Sequence, residues 1–139
     1  MHPLTRAILA GLSYFALVFA VGFALGAVRV SLAAPRFGAF VAVVIETPFI
    51  LTASGFGSLW CIDRFRVGAG LAPRATMGGA AFVALMVAET GLSAFAFGRS
   101  LTEQGLALLT PAGALGLAGQ VVFALLPVLQ GRRWAAARR

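Results

Sequence analysis

Four long apolar stretches, separated by short connections, decide what this sequence can fold into. They run over residues 7–28, 37–62, 75–98 and 105–129. Each is at least as long as the roughly 20 residues that cross a bilayer as a helix. In lipid a helix satisfies its own backbone hydrogen bonds. The sequence therefore predicts an all-α integral membrane protein, a four-helix bundle in a single transmembrane domain over residues 1–139.

The composition agrees with a bilayer rather than with a soluble core. Sixty per cent of the 139 residues are hydrophobic and 11% are charged, whereas a soluble domain carries roughly 25% charged residues. The formal net charge is +7, but basic residues at the edges of apolar segments are ordinary in membrane proteins. We therefore expect the lipid bilayer as a partner and no nucleic acid. The absence of Lys and Asn, with abundant Ala and Gly, favours a bacterial source.

The arginines between the apolar stretches predict the orientation. One side of the membrane would hold three of them, Arg29, Arg36 and Arg99. The other side would hold eight, which are Arg6, Arg64, Arg66, Arg74, Arg132, Arg133, Arg138 and Arg139. The positive-inside rule places the eight, and with them both termini, in the cytoplasm. A cleaved signal peptide over residues 1–26 is the alternative for the first stretch, and it would leave three spans.

Prolines and a capping pattern predict where helices end or bend. Pro35 fits the first turn of a helix and not its interior, so we expect it to separate the first two helices. Ser100 and Glu103 have the spacing of a capping box, so we expect them to begin the fourth helix. Pro48 and Pro111 lie inside predicted spans and are expected to kink them.

Two carboxyl side chains share one depth in the predicted bundle. Glu46 on the second helix and Glu89 on the third each lie about 13 Å from the outer end of their helix, at about 1.5 Å per residue. Arg29, near the outer end of the first helix, is the predicted partner of Glu46. Three hydroxyl groups complete this intramembrane polar layer, from Thr47, Thr90 and Thr110.

The first helix carries a close-packing motif at the same depth. Gly22 and Gly26 have the GxxxG spacing that lets another helix backbone approach closely. Gln120, deeper in the fourth helix, is expected to form a hydrogen bond between helices. We therefore expect Glu46 and Glu89 to face the inside of the bundle rather than lipid.

The polar layer has a functional and a structural interpretation. Intramembrane acids mark proton or cation sites. In the structural alternative, Arg29 pairs with Glu46, and a neutral Glu89 bonds to a carbonyl freed by a proline. The chain has one Cys and one terminal His, and it contains none of the common metal, phosphate-binding or nucleophile motifs. We therefore expect no metal, no cofactor and no enzyme activity.

The stretch Arg29-Val-Ser-Leu-Ala-Ala-Pro-Arg36, followed by Glu46-Thr-Pro48, resembles short four-span bacterial inner-membrane proteins over roughly the first half of the chain. This resemblance implies a fold and a multi-pass location, and no activity. Two classes of function remain. One is a non-catalytic accessory or assembly component of a membrane complex. The other is a small proton- or cation-coupled transporter that acts as a homo-oligomer through Glu46 and Glu89.

Overall fold

A computed structural model describes the backbone of residues 1–137 and the side chains of residues 1–132. The side chains of Arg133, Arg138 and Arg139, which contributed to the predicted orientation, lie outside this part of the chain. Helices form nearly all of the described residues, which contain no strand. Four helices are long and apolar enough to cross a membrane, so the predicted all-α fold with four apolar helices is confirmed.

The helix bounds differ from the predicted spans. In chain order the elements are α1 (Pro3–Val28), a π turn (Arg29–Ala33), α2 (Ala34–Phe37), α3 (Ala39–Phe65), α4 (Leu71–Phe97), α5 (Leu101–Ala107) and α6 (Pro111–Ala137). The first three elements form one continuous helix of 35 residues. The first helix thus extends beyond both ends of the predicted first span, 7–28, and α6 begins six residues after the start of the predicted fourth span, 105–129.

Gly38, and not Pro35, separates the first two spanning helices. Gly38 has a φ of +83°, a conformation that glycine adopts without the steric cost of a Cβ, and the chain turns there into α3. Pro35 lies in the first turn of α2. The proline has no N–H to donate within the helix. In the π turn before it the helix is wider, and the Ala34 N–H donates to the Arg29 carbonyl, five residues earlier. The helix therefore continues past the proline.

Pro111 begins a helix instead of kinking one. The short helix α5 ends at Ala107, and Pro111 is the first residue of α6. At that position a residue makes no intrahelical N–H bond, so proline removes none. Thr110 forms the intervening turn, since its Oγ1 donates to the Ala107 carbonyl at 2.6 Å and accepts from Gly113 N at 3.1 Å. The predicted capping box is present, with both reciprocal bonds, but it begins α5.

The spanning helices pack as a ring in the order α1, α3, α6, α4, so that each contacts two neighbours. We call the half of the bundle nearer the N-terminus and the α3–α4 loop the terminal half (residues 3–20, 52–85 and 123–132). The distal half comprises residues 21–51 and 86–122. Consecutive helices α3 and α4 lie diagonally opposite each other.

The apolar core fills the terminal half. Its buried side chains come from all four spanning helices and the α3–α4 loop: Ala7, Ala10, Tyr14, Val18, Cys61, Ile62, Val67, Met77, Ala81, Leu85 and Phe123. In the distal half, Ala42 is the buried hydrophobic residue among those described. The bundle is therefore tightly packed at one end and loosely packed at the other.

The closest approaches between helices occur in the terminal half, and not at the predicted Gly22 and Gly26. A Cβ on Gly11 would overlap the Met77 carbonyl, and a Cβ on Gly78 would overlap a carbonyl of α6. Gly22 meets a side chain of α3 instead, and Gly26 has only Arg29 of its own helix nearby.

Candidate functional site

One polar side chain from each spanning helix lies at a common depth in the distal half. We call these four residues the polar ring: Arg29, Glu46, Glu89 and Gln120. Each lies seven to nine residues from the distal end of its helix, about 10–14 Å at 1.5 Å per residue. Helices of 27 residues such as α3 and α4 are about 40 Å long and exceed the roughly 30 Å hydrocarbon layer. A bundle centred in a bilayer would therefore hold the ring inside that layer.

An ion pair joins α1 to α3 on one side of the ring. Arg29 Nε lies 2.5 Å from Glu46 Oε2, a charge contact whose angle is not that of a hydrogen bond. The two side chains are 34% and 18% exposed, so the pair is only partly covered by protein. Arg29 is also the first residue of the π turn, a kind of turn that is frequent at functional sites. The structure thus places Arg29 beside the carboxyl that was predicted to need it.

A hydrogen bond joins α4 to α6 on the opposite side of the ring. Gln120 Nε2 donates to Glu89 Oε2 at 2.6 Å, in place of the predicted contact with a carbonyl freed by a proline. The sequence did not reveal this pair because the fourth helix was expected to begin at residue 105, which placed Gln120 about 9 Å too deep. Counted from Pro111, Gln120 has the depth of Glu89.

The charge of Arg29 acts on Glu89 as well as on Glu46. This double role follows from the packing, because α1 lies between α3 and α4. The ring therefore contains two carboxyls and one cationic side chain. With both carboxyls ionised it would carry one uncompensated negative charge, which is unfavourable at this depth in a membrane.

The three threonines of the predicted polar layer make no hydrogen bond to the carboxyls in the described structure. Thr47 Oγ1 donates to the Val43 carbonyl of its own helix at 2.7 Å. For Thr90 the hydrogen bond is made by the backbone: its carbonyl accepts from Gln104 Nε2 at 3.5 Å. Thr110 lies in the turn before α6 and is distal to the ring. The side chains of this layer that contact one another are thus those of the polar ring.

No family model, no curated protein and no solved structure matches this chain. What the chain can do is therefore inferred from its own residues. Its ring supplies carboxyl, amide and guanidinium groups, which bind protons, cations or complementary polar groups. Among the residues that the structure describes, no group of three or more His, Cys, Asp or Glu could hold a metal ion.

A second polar cluster lies in the terminal half, and it was not predicted from the sequence. The Tyr14 hydroxyl donates to the Phe123 carbonyl at 2.9 Å, and the two rings stack with centroids 4.4 Å apart. That carbonyl lacks its usual helical donor because Pro127, four residues further along α6, has no N–H. The Ser54 hydroxyl lies beside that of Tyr14. In the sequence, Pro127 is the signal for this contact. Pro48, which was predicted to kink a span, lies inside α3.

Further polar side chains continue from this cluster toward the terminal end. Gln130 Nε2 donates to the Gly55 carbonyl at 3.0 Å. Ser58 lies three residues further along α3 and is fully buried. Arg74, which is buried, donates from Nε to the Gly68 carbonyl of the α3–α4 loop at 2.8 Å. The terminal half thus combines an apolar core with a line of hydroxyl, amide and guanidinium groups.

Proposed function

We propose that this protein is a non-catalytic component of a bacterial inner membrane that packs its distal half against another membrane protein. The observation that supports this function is the uneven packing of the bundle. The core fills the terminal half, whereas the distal half holds a partly exposed ion pair. Polar side chains that face lipid at this depth are unfavourable. A partner helix that covers the ring would remove that penalty.

The proposed orientation places both termini in the cytoplasm. Exposed arginines in the described residues cluster at the terminal end, at Arg6, Arg64, Arg66 and Arg132. The distal end has only Arg36 and Arg99, because Arg29 belongs to the ring. Basic residues that flank spans favour the cytoplasmic side, so the distal end and the short helix α5 would face the periplasm.

Site-specific photo-crosslinking tests the accessory function. A photoreactive amino acid is introduced at Phe49, an exposed position of the distal half, and in a separate variant at Leu12, an exposed position of the terminal half. Purification in mild detergent is then followed by identification of any crosslinked protein. We expect a different membrane protein, in stoichiometric amount, attached at Phe49 and not at Leu12. Purification of the chain alone, with no crosslink from Phe49, would contradict this function.

A second candidate function, a small proton- or cation-coupled transporter that acts as a homo-oligomer, is favoured by the charges of the ring. Arg29 directly pairs with Glu46, whereas the direct partner of Glu89 is the neutral amide of Gln120. Arg29 can compensate one of the two carboxylates, so a proton or a bound cation would compensate the other. Such a group is what proton-coupled transport requires at this depth.

Proton flux in liposomes tests the transporter function. The purified protein is reconstituted with a pH-sensitive dye inside, a pH gradient is imposed, and cationic solutes are added one at a time. Transport predicts solute-dependent flux that is lost in Glu89→Gln, because the amide keeps the shape of the side chain and cannot exchange a proton. Glu103→Gln is the matched control, since Glu103 caps α5 outside the ring, and it should retain the flux. Flux that survives in Glu89→Gln would exclude this role for the ring.

A further inference from the structure

The side of α3 that faces the bundle carries a polar residue at three of four successive positions spaced four apart. These are Glu46, Ser54 and Ser58, with Ile50 between the first two. Each step of four residues turns the side-chain direction by about 40° around the helix axis, so these polar positions continue from the ring carboxyl into the terminal half along a slowly turning line. Polar side chains of the other three helices lie nearby: Tyr14 beside Ser54, Gln130 bonded to the Gly55 carbonyl, and Arg74 beside Gly131. We call the set the inner polar track: Tyr14, Ser54, Ser58, Gln130 and Arg74.

The inner polar track extends from the middle of the bundle to the α3–α4 loop. Ser54 and Ser58 lie about 12 and 18 Å from Glu46 toward the terminal end. Gln130 bonds to the Gly55 carbonyl of α3, between Ser54 and Ser58, and the residue that follows it, Gly131, lies against the side chain of Arg74. Arg74 in turn reaches the loop through its bond to the Gly68 carbonyl. Buried polar groups therefore recur at successive depths along this half of the bundle.

Three atoms of the track are buried and have no hydrogen-bond partner among the described residues: Ser58 Oγ, Gln130 Oε1 and one terminal nitrogen of Arg74, Nη1. Buried polar atoms without partners are rare in native proteins, and they are especially unfavourable where a membrane excludes water. Here they occur along one line and not scattered through the core. A second conformation in which water reaches this line would satisfy all three.

A single apolar layer separates the inner polar track from the polar ring. Ile50, Leu85 and Phe123 lie three or four residues from the ring members of α3, α4 and α6. Leu85 and Phe123 belong to the buried core, and Ile50 packs against it. The distal half, on the other side of this layer, is loosely packed. On the terminal side of the ring, core side chains thus form a layer, whereas the ring side chains themselves are partly exposed.

We propose that the inner polar track is the wall of a passage that opens from the terminal end and brings water and protons to Glu89. In this structure the passage is closed by its own packing and by the layer of Ile50, Leu85 and Phe123. The proposal rests on the transporter function, and it names the path by which protons would reach Glu89 from the terminal end. Glu89 exchanges protons with the distal side in the present conformation, and with the terminal side when the track is hydrated.

The test compares two buried positions at equal depth, one on the track and one off it. Ser58 and Ala10 are both 0% exposed, and each lies seven residues from the terminal end of its helix, at Phe65 and Pro3 respectively. Ser58→Cys and Ala10→Cys are each made in a Cys61→Ala background, which removes the single native cysteine. The variants are reconstituted in liposomes, and a membrane-impermeant thiol reagent is added to one side at a time.

A passage predicts that Ser58→Cys reacts from the terminal side alone, and faster than Ala10→Cys by about tenfold or more. Local or global unfolding exposes both cysteines, so equal rates would overturn the proposal. It would also be overturned by a Ser58→Cys protein that stays unlabelled while the denatured protein reacts fully. Ser54→Cys is the substitute track position if Ser58→Cys does not fold. These rates do not depend on any transported solute, so a missing passage and missing transport give different results.

Discussion

A proline inside a membrane helix leaves one carbonyl without its N–H donor, and α6 shows how a side chain of another helix can replace that donor. Pro127 frees the carbonyl of Phe123, and the Tyr14 hydroxyl donates to it. The contact joins α1 and α6, which are diagonal in the bundle and share little backbone contact. One phenolic hydroxyl therefore ties the two helices across the core.

Tyr14→Phe should lower the free energy of unfolding by about 1–3 kcal/mol, because it leaves a buried carbonyl without a donor. Unfolding in detergent, followed by circular dichroism, measures the change. Pro127→Ala is the matched background, since an alanine N–H can donate to the Phe123 carbonyl. In that background Tyr14→Phe should be less destabilising. Equal losses in both backgrounds would show that the proline and the tyrosine are independent.

Arg29→Ala and Glu46→Ala should each destabilise the protein by about 1–3 kcal/mol, because each leaves a partly buried charge without its partner. The loss is limited because an unpaired Glu46 can take up a proton. The double substitution should be less destabilising than the sum of the two single ones. Thermal melts in detergent measure the three changes, and strictly additive shifts would argue against the pair.

The pairings of the ring residues differ in how far the sequence could predict them. Arg29 and Glu46 carry opposite charges at one depth on consecutive helices, so their contact followed from charge and length alone. The pairing of Glu89 with Gln120 depends on where α6 begins. That boundary is set by a turn in which the Thr110 hydroxyl caps the first turn of α6 by accepting from the Gly113 N–H, and apolar composition does not distinguish the residues before it from those after it.

At the scale of helices, α4 packs between α1 and α6 through glycines that face carbonyl groups. Gly78→Ala should lower the free energy of unfolding by about 1–3 kcal/mol, because its Cβ would overlap the Ala124 carbonyl and force α4 away from α6. Gly79→Ala is the adjacent control, since nothing lies within 4 Å of its Cβ. It should leave stability unchanged or raise it by up to about 1 kcal/mol, through its better helix propensity. A similar loss at both positions would contradict the close approach.

Helix ends were predictable from the sequence where a side chain marks them and not where the backbone alone does. The pattern of Ser100 and Glu103 gave the beginning of a helix correctly, because both capping bonds come from the side chains themselves. The break at Gly38 and the π turn before Pro35 depend on local backbone geometry. The glycine and the proline show that a break or a π turn is possible at these positions, but the packing of the helices decides whether it forms.

At the scale of the whole molecule, the orientation can be measured directly. Reporter fusions after Arg139 and within residues 63–74 should report the cytoplasm, and a fusion after Arg99 should report the periplasm, because arginines concentrate at the terminal end. Paired reporters, one active only in each compartment, give the measurement. A C-terminal fusion active only in the periplasm would reverse the proposed orientation and with it the sidedness of the passage.

The uneven packing of the bundle could not be predicted, because apolar stretches specify four spans without specifying which helices become neighbours. Alternation of small and large residues along α1 gives no more than a weak indication of contact. The order α1, α3, α6, α4 follows from specific contacts, such as Gly11 against Met77 and Gly78 against Ala124. Those contacts also decide that the core forms at one end.

The same helix order has a consequence for how the chain is made. Helices enter the membrane in the order in which the ribosome produces them, and α3 and α4 each have α1 as a neighbour while they do not pack against each other. Both can therefore dock on a helix that is already in place. Only α6, the last to be synthesised, contacts the pair from the far side and supplies Phe123 to Tyr14. A nascent chain that stops before α6 would hold three helices with an open side, a natural substrate for membrane proteases that remove unfinished proteins.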